Sequence, residues 1–278
     1  MAAMMPDGGA GDGTLILVGC GKMGTAMLRG WLERGAAARF VVVEPAGPPA
    51  ELAAATGTVW HGTPDTLPAE LTPDAVVFAL KPQVLDGALA AYRRFVRPRT
   101  LFLSIAAGKT MAGITDHLGP AALIRAMPNT PAAISRGITV ACAGPRVTAP
   151  QLRFCERLLS AIGESAWVED EALMDAVTAV SGSGPAYVFL LIEALARAGA
   201  EVGLPADLAL RLARSTVAGA GELARQSPEG PARLRADVTS PGGTTEAALA
   251  ILMGANGLEP LLGRAVAAAT ARSRQLAS

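Results

Sequence analysis

The chain has 278 residues with 24 basic and 24 acidic side chains, a length that allows one large domain or two ordinary ones with cores that need no disulfide. The zero net charge argues against a nucleic-acid-binding protein, because such proteins usually carry a basic excess. The three cysteines, Cys20, Cys142 and Cys155, follow no metal-binding or disulfide spacing, which predicts no metal site and free thiols in a reducing compartment, here the cytoplasm.

The N-terminal part predicts a short tail and then alternating strands and helices. Residues 1–13 show no apolar periodicity and no basic side chain, which indicates a disordered tail without the charged start of a secretory signal. From residue 14 to 164, short apolar runs typical of buried strands alternate with helical patterns such as residues 84–95. The predicted strands are residues 14–18, 40–43, 75–80, 100–105, 123–125 and 137–141. This alternation predicts an α/β domain of the doubly wound Rossmann type, with a parallel sheet covered on both faces.

The pattern changes after residue 164. Residues 165–278 begin with a short strand-like run at 166–168 and continue as helical patterns separated by Gly and Pro, which predicts an all-α domain. The longest apolar run, residues 187–200, contains Glu193 and Arg197 and is too short to span a bilayer. We therefore expect no membrane partner.

A glycine-rich segment after the first strand predicts a dinucleotide site. Gly19, Gly21 and Gly24 form the pattern G-x-G-x-x-G, with Lys22 and Met23 before the last glycine. The segment follows a predicted strand and opens a predicted helix, which is the context that the motif requires. The glycines permit a tight turn and bring backbone N–H groups to a pyrophosphate at the helix N-terminus. A glycine-rich turn that binds no ligand is the alternative.

One acidic residue bears on the choice of cofactor. Glu44 ends the second predicted strand, 20 residues beyond Gly24. A carboxylate at this position accepts hydrogen bonds from the adenosine ribose and repels a 2′-phosphate, which favours NADH over NADPH. A solvated carboxylate is the alternative, and Arg39 is a candidate to bind a phosphate. Both NADPH and NADH therefore stay open as cofactors.

Two further segments follow the next two predicted strands. Ligands on open parallel sheets bind outside the carboxyl ends of the strands, so we expect both segments to flank the nicotinamide half of the cofactor. Their candidate cofactor-binding residues are Ala79, Leu80, Lys81, Pro82, Ala106 and Gly108. For Lys81, a surface lysine before a proline turn is the alternative.

Three more segments combine small residues with hydroxyls at apparent element boundaries. They are Met-Pro-Asn-Thr-Pro-Ala at residues 127–132, Ser-Gly-Ser-Gly-Pro-Ala-Tyr at 181–187, and Val-Thr-Ser-Pro-Gly-Gly-Thr-Thr at 238–245. With the glycine-rich loop and Ala-Leu-Lys-Pro, in this order and spacing, they resemble pyrroline-5-carboxylate reductases from about residue 14 to the C-terminus. The resemblance implies a Rossmann domain followed by an all-α dimerisation domain. It also implies the substrate 1-pyrroline-5-carboxylate, whose C=N bond NADPH or NADH reduces to give L-proline.

The resemblance implies residue roles as well. In this family the Pro-Gly-Gly-Thr-Thr loop begins a helix, its backbone N–H groups bind the substrate carboxylate, and the hydroxyl matching Thr245 bonds the ring nitrogen. The loop completes the active site of a partner subunit, which implies a homodimer or higher homo-oligomer. The segments at residues 129–130 and 181–184 would line the pocket near the nicotinamide, with Asn129 at both the substrate and the cofactor sites. The implied catalytic residues are Thr245 and Ser183, and the implied substrate-binding residues are Asn129, Ser183, Ser240, Gly242, Gly243, Thr244 and Thr245.

Each of these segments also has a purely structural explanation. Asn and Pro favour turns, so residues 127–131 are also consistent with a plain turn between strands. Pro185 is suited to the first position of a helix. Gly243 or Thr244 is suited to cap the last long helices.

Two other functions stay open. A beta-hydroxyacid dehydrogenase shares the domain order but uses a lysine on its helical domain, whereas the lysines here are Lys22, Lys81 and Lys109. A carbonyl reductase needs such an acid or base and an imine reductase does not, so the absence of a lysine favours the imine. A non-catalytic nucleotide-sensing module on the same scaffold is the other alternative, since fold alone does not exclude it.

Overall fold

A computed structural model describes residues 13–277 of the chain. The tail expected at residues 1–13 therefore lies outside the described residues, apart from Gly13. The described residues form two compact units. One unit contains the residues up to Gly182 together with those from Thr270 onward, and the other is Ser183–Ala269.

The first unit contains an eight-stranded sheet. Its strands are β1 (Thr14–Val18), β2 (Arg39–Val43), β3 (Thr58–His61), β4 (Ala75–Phe78), β5 (Leu101–Ser104), β6 (Ala122–Met127), β7 (Gly137–Ala143) and β8 (Gly163–Val168). Their order across the sheet is β3-β2-β1-β4-β5-β6-β7-β8. The order changes direction at β1, which lies between β2 and β4. In doubly wound sheets, ligands bind at such a point, outside the carboxyl ends of the strands.

Strand directions agree with the sequence-based expectation over most of the sheet. Strands β1 to β6 all run parallel, which confirms the Rossmann-type arrangement. Strand β7 is antiparallel to β6, and β8 is parallel to β7. Only residues 128–136 join β6 to β7, fewer than the dozen or so residues that a parallel crossover needs. The expectation of a parallel sheet therefore fails for the last two strands.

Two strands at the edges of the sheet differ from the sequence-based expectation. The sequence pattern does not predict β3, because its Thr-Val-Trp-His sequence is short and every residue is at least partly exposed. Strand β8 contains the strand-like run at 166–168, but it begins at Gly163 and pairs with β7. The boundary expected between residues 164 and 165 therefore falls inside β8, and the sheet continues to Val168.

Helices cover both faces of the sheet. Those of the first unit are α1 (Lys22–Arg34), α2 (Pro82–Leu89), α3 (Met111–Leu118), α4 (Ala149–Ser160) and α5 (Met174–Val177). Along β1, Leu15 and Leu17 belong to one buried cluster and Ile16 to the other. The first cluster includes side chains of α1 and α4, and the second includes side chains of α2 and α3. Strands covered on both faces have continuous apolar sequences, which is why the sequence reveals them.

The second unit is helical. It contains α6 (Gly184–Glu201), α7 (Ala206–Gln226), α8 (Pro231–Asp237), α9 (Thr244–Leu252) and most of α10 (Leu258–Ala277). Helices α6 and α7 pack against each other. The side chains of Phe189, Leu190 and Leu191 on α6 are nevertheless about half exposed. Apolar surface of this extent usually marks an interaction site.

The apolar helix is longer than the sequence pattern suggests. The helical stretch Glu171–Glu201 has 31 residues, and its most apolar window has a mean hydropathy of 1.4 with 6% of that window buried. By length and composition alone it is able to cross a membrane. The expectation of a run too short to span a bilayer holds for residues 187–200 alone and fails for the whole helix, because helical turns on either side lengthen it. An exposed apolar helix fits a protein interface as well as a bilayer.

Candidate active site

The loop between β1 and α1 is packed against the segment that follows β4. Gly19 has a φ of +89°, and a Cβ added there would lie 2.7 Å from the Ala79 carbonyl oxygen and 2.9 Å from Leu80 Cδ2. A Cβ added to Gly24 would lie 2.4 Å from the Gly19 carbonyl oxygen. At Gly21, by contrast, an added Cβ would meet no heavy atom within 4 Å. Two glycines are thus required by the packing of the protein, and the third faces open space that a ligand can fill.

The N-terminus of α1 lies in this loop. Gly21 is the N-cap, and it has no side chain that could accept hydrogen bonds from the first N–H groups of the helix. The first turn also contains no acidic residue. Lys22 is exposed and Met23 is partly exposed. Free N–H groups and the helix dipole at such an end attract an anion. These residues therefore fit the pyrophosphate of a dinucleotide.

The carboxylate of Glu44 is fixed beside the glycine-rich loop. The Cys20 backbone N–H donates to Glu44 Oε2 at 2.7 Å, and the Ala46 N–H donates to Glu44 Oε1 at 3.0 Å. Each carboxylate oxygen can accept more than one hydrogen bond, so both oxygens keep capacity for ribose hydroxyls. Glu44 follows the last residue of β2, whereas Arg39 is the first. That spacing separates them by about 16 Å along the strand, and Arg39 therefore lies at the wrong edge of the sheet to bind a 2′-phosphate.

The thiol within the glycine-rich loop is buried. Burial raises the pKa of Cys20, and the nearby Glu44 carboxylate raises it further, while a hydrogen bond with Thr25 acts in the opposite direction. A thiol with a raised pKa stays protonated at neutral pH and is a poor nucleophile. Cys20 therefore belongs to the packing of the loop, and the sequence-based expectation of free thiols fits all three cysteines.

The segments after β4 and β5 lie at the same sheet edge as the glycine-rich loop. Ala79 follows β4, and its N–H donates to the Val18 carbonyl oxygen at 2.8 Å. Lys81 is exposed and forms the N-cap of α2, with Pro82 at the first helical position. This geometry also suits the structural alternative, in which Lys81 is a surface lysine before a turn. One strand further, Ala106 is buried directly beyond the end of β5.

Gly108 lies in the loop after β5 against the end of the chain. Its φ is +73°, and a Cβ added there would lie 2.9 Å from Leu276 Cβ. The next residue, Lys109, forms an ion pair with Asp86 of α2 at 2.6 Å. The C-terminal turn of α10 is held in the first unit by Ser273, whose hydroxyl donates to Asp175 at 2.7 Å. Gly108 is thus required by packing, in addition to its expected place beside the cofactor.

Asn129 follows β6 and has both ends of its side-chain amide bound. The Ile138 backbone N–H donates to Asn129 Oδ1 at 3.0 Å, and Asn129 Nδ2 donates to the Ser181 hydroxyl at 3.3 Å. Ser181 begins the segment at residues 181–184 that the resemblance places near the nicotinamide, although no separate role is predicted for its hydroxyl. The structure brings this hydroxyl against the Asn129 amide.

The remaining candidates belong to the second unit. Ser183 is half-buried and precedes the first residue of α6. Gly243 is the N-cap of α9, and Gly242 has a φ of +69°. The Gly242 N–H donates to Glu246 Oε2 at 2.6 Å. The Gly242 N–H is therefore bound by the carboxylate of the helix's own first turn.

Three neighbouring candidates complete this loop. Thr244 and Thr245 are the first two residues of α9, and Thr245 is the more buried of them. Ser240 is exposed. A Cβ added to Gly243 would lie 2.9 Å from the Ser240 carbonyl oxygen. The second unit thus holds Ser183 and the whole loop at residues 240–245, whereas Asn129 belongs to the first unit.

Known proteins resemble this chain over nearly its whole length. A family model described as pyrroline-5-carboxylate reductase dimerisation matches residues 171–276, and one described as NADP oxidoreductase, coenzyme F420-dependent, matches residues 14–108. The pyrroline-5-carboxylate reductase of Pseudomonas aeruginosa is 39% identical over 95% of this chain and 96% of its own length. The chain belongs to the pyrroline-5-carboxylate reductase family. The enzyme of that name from Synechocystis is 41% identical over 94% of this chain and 97% of its own.

Solved structures of pyrroline-5-carboxylate reductases share the fold. The structure from Coxiella burnetii has a TM-score of 0.86 and 31% identity, covering 96% of this chain and 99% of that chain. The structure from Plasmodium falciparum with NADP bound has a TM-score of 0.83 and 26% identity, covering 97% of this chain and 100% of that one. The all-α region expected from the sequence is thus confirmed as a counterpart of the dimerisation region of pyrroline-5-carboxylate reductases.

Proposed function

We propose that this chain is a pyrroline-5-carboxylate reductase that transfers hydride from NADPH or NADH to the C=N bond of 1-pyrroline-5-carboxylate, giving L-proline. The observation that carries the proposal is the near full-length likeness to curated reductases of that name. The glycine-rich loop and the Pro-Gly-Gly-Thr-Thr loop support it, because the first fits a dinucleotide and the second fits a carboxylate.

The first unit provides the cofactor-binding half of the mechanism. When bound, the nicotinamide supplies the hydride. The N–H groups around Gly21 hold the pyrophosphate, and Glu44 accepts hydrogen bonds from the adenosine ribose. The segment from Ala79 to Pro82, together with Ala106, Gly108 and Asn129, positions the nicotinamide ring. These residues orient the cofactor and need no acid or base of their own.

The second unit provides the substrate-binding half. Backbone N–H groups of the loop and of the first turn of α9 hold the substrate carboxylate, and Ser183 and Ser240 line the pocket. The Gly243 N–H is not among these donors, because it already donates to the Ser240 carbonyl oxygen at 3.0 Å. The Thr245 hydroxyl bonds the ring nitrogen and stabilises its N–H as the charge on the ring changes. A protonated imine is already electrophilic, so the chain has only to hold it at near-attack distance and to exclude water.

Glu246 shares the proposed anion site with the substrate. Its carboxylate accepts a hydrogen bond from the Gly242 N–H, so a substrate carboxylate must displace or adjoin it. We expect Glu246→Gln to lower the KM for 1-pyrroline-5-carboxylate about threefold, because like charges near a common donor repel each other. The KM for 1-pyrroline, which lacks the carboxylate, should change by less than about 1.5-fold in steady-state assays. An equal change for both substrates would contradict a role at the carboxylate.

The exposed apolar helices support a homo-oligomer. The side chains exposed on α6 belong to the region that matches the dimerisation family model. We propose that a second copy of the chain covers them and that each copy's loop at residues 240–245 completes the partner's active site. The same interface accounts for the apolar stretch Glu171–Glu201 without a bilayer. A cytoplasmic location stays a prediction from the cysteine pattern.

Glu44 should control the preference between the two cofactors. We expect Glu44→Ser to raise the ratio of kcat/KM with NADPH to that with NADH about tenfold, since a carboxylate no longer faces the 2′-phosphate. The lost hydrogen bond to the Cys20 N–H affects both cofactors equally, so the ratio isolates the phosphate. Steady-state rates with both cofactors at saturating imine measure it, and an unchanged ratio would show that Glu44 does not face the ribose.

The decisive assay follows the absorbance of the reduced nicotinamide during incubation with racemic 1-pyrroline-5-carboxylate. Consumption of NADH or NADPH with proline as product would establish the reaction. No consumption by folded, dimeric protein would favour a reductase of another small imine or a keto acid, or a nucleotide-sensing module. The keto-acid reaction is the weaker of these, because residues 165–278 contain no lysine to handle the alcohol proton.

A further inference from the structure

The side-chain amide of Asn129 has a defined orientation. Its Oδ1 accepts the Ile138 backbone N–H at 3.0 Å, and only the oxygen of an amide can accept from an N–H. The nitrogen therefore faces the opposite side, where it lies 3.3 Å from the Ser181 Oγ. This hydrogen-bond pattern fixes the choice between the two flipped forms of the amide. Ser181 acts here as the acceptor.

The turn that carries Ser181 is unusual. Residues Thr178–Gly182 form a π-helix between α5 and α6. Single π-helical turns are rare and occur frequently at functional sites. The turn is fixed from inside, because Ala179 is fully buried and the Thr178 hydroxyl donates to the Met174 carbonyl oxygen at 2.8 Å. The Ser181 hydroxyl is thus presented by a constrained segment.

The π-helix is also packed against the strand that leads to Asn129. A Cβ added to Gly182 would lie 2.3 Å from Met127 Cε, and Met127 is the last residue of β6. The contact brings the π-helix within reach of Asn129, two residues further along the chain. Within residues 13–277, no protein atom accepts the second hydrogen of Asn129 Nδ2 or the hydroxyl hydrogen of Ser181. Both donors are therefore free for a ligand.

We propose that Ser181 is a positioning residue for the reduction. Its hydroxyl oxygen binds one hydrogen of the Asn129 amide, and the other hydrogen is then held ready for the carboxamide oxygen of the nicotinamide. The proposal rests on the proposed function, in which Asn129 contacts the cofactor beyond the carboxyl end of β6. Ser181 acts through Asn129, whereas Ser183 lies two residues later and makes no side-chain hydrogen bond at the start of α6.

A double-mutant cycle tests this relation. The variants are Ser181→Ala, Asn129→Ala and the two combined, assayed for kcat/KM with 1-pyrroline-5-carboxylate and for the dissociation constant of NADPH by fluorescence. We expect Ser181→Ala alone to lower kcat/KM and to weaken NADPH binding, each about tenfold. In the Asn129→Ala background the same substitution should cost less than about twofold, because coupled residues are not additive. Ser181→Thr, which keeps the hydroxyl, should recover wild-type values to within about threefold.

Thr178→Val is the matched control. It also removes a hydroxyl from the π-helix, but the Thr178 hydroxyl binds the Met174 carbonyl oxygen and not Asn129. Any loss of kcat/KM or of NADPH affinity that Thr178→Val causes should be equal in the wild-type and in the Asn129→Ala background. An equal loss for Ser181→Ala in both backgrounds would overturn the proposal, as would the absence of rescue by Ser181→Thr. If the wild-type protein does not reduce the imine, the proposed function fails. The cycle measured on NADPH binding alone then still supports or overturns the coupling of Ser181 to Asn129.

Discussion

Thr245→Ala is expected to lower kcat for 1-pyrroline-5-carboxylate about a hundredfold, the loss typical of removing one donor that stabilises a transition state. The dissociation constant of NADPH should change by less than about twofold, because the partner of this hydroxyl is the substrate. Thr245 is the second residue of α9 and is only partly exposed. Stopped-flow rates and NADPH fluorescence separate the two quantities.

Two further variants at the same position distinguish the hydroxyl from the shape of the side chain. Thr245→Ser keeps the hydroxyl and should retain kcat to within about fivefold, whereas Thr245→Val keeps the branched shape and should resemble Thr245→Ala. Unchanged turnover in Thr245→Val would refute the role of the hydroxyl. A parallel loss of kcat and of NADPH affinity in all three variants would instead indicate disruption of the helix.

The parts of the fold that the sequence predicts are those with local causes. Strands β1, β2, β4 and β5 are buried on both faces, so each appears as a continuous apolar run. The edge strand β3 escapes prediction because its exposed residues break that pattern. The boundary expected between residues 164 and 165 divides strand β8 for the same reason, since Glu164 and Trp167 are exposed and interrupt the apolar pattern. Pairing partners, and not local pattern, decide where an edge strand belongs.

In the candidate site as well, features with local causes can be predicted from the sequence, whereas contacts between distant residues cannot. The motif around Gly19 predicts a tight turn before a helix, because glycine at positive φ is a local requirement. The hydrogen bond from the Cys20 N–H to Glu44 joins residues 24 apart, and that from Asn129 to Ser181 joins residues 52 apart. No local periodicity encodes either contact. The functions of Thr245 and of the loop before it came from family resemblance, since Gly and Thr before a helix are also ordinary caps.

The glycine-rich loop allows packing and cofactor binding to be tested separately. Gly24→Ala places a Cβ 2.4 Å from the Gly19 carbonyl oxygen, and a backbone atom does not yield as a flexible side chain does. We expect this variant to lose about 2–4 kcal/mol of unfolding free energy and to bind NADPH at least about a hundredfold more weakly. Gly87→Ala is the control for the substitution itself. It adds a methyl to the interior of α2, where no atom lies within 4 Å, and alanine there should stabilise the helix by about 0.5–1 kcal/mol.

Gly21→Ala should behave differently from Gly24→Ala, because its Cβ meets only open space in the protein. The φ of Gly21 is −67°, which alanine adopts without strain. The thermal midpoint should therefore stay within about 2 °C of wild type, while NADPH binding weakens about a hundredfold, since the methyl group fills the space that the pyrophosphate needs. Calorimetry and fluorescence titration measure the two effects. Unweakened binding with a normal midpoint would mean that the dinucleotide does not approach Gly21, and the pyrophosphate would have to bind elsewhere on the sheet edge.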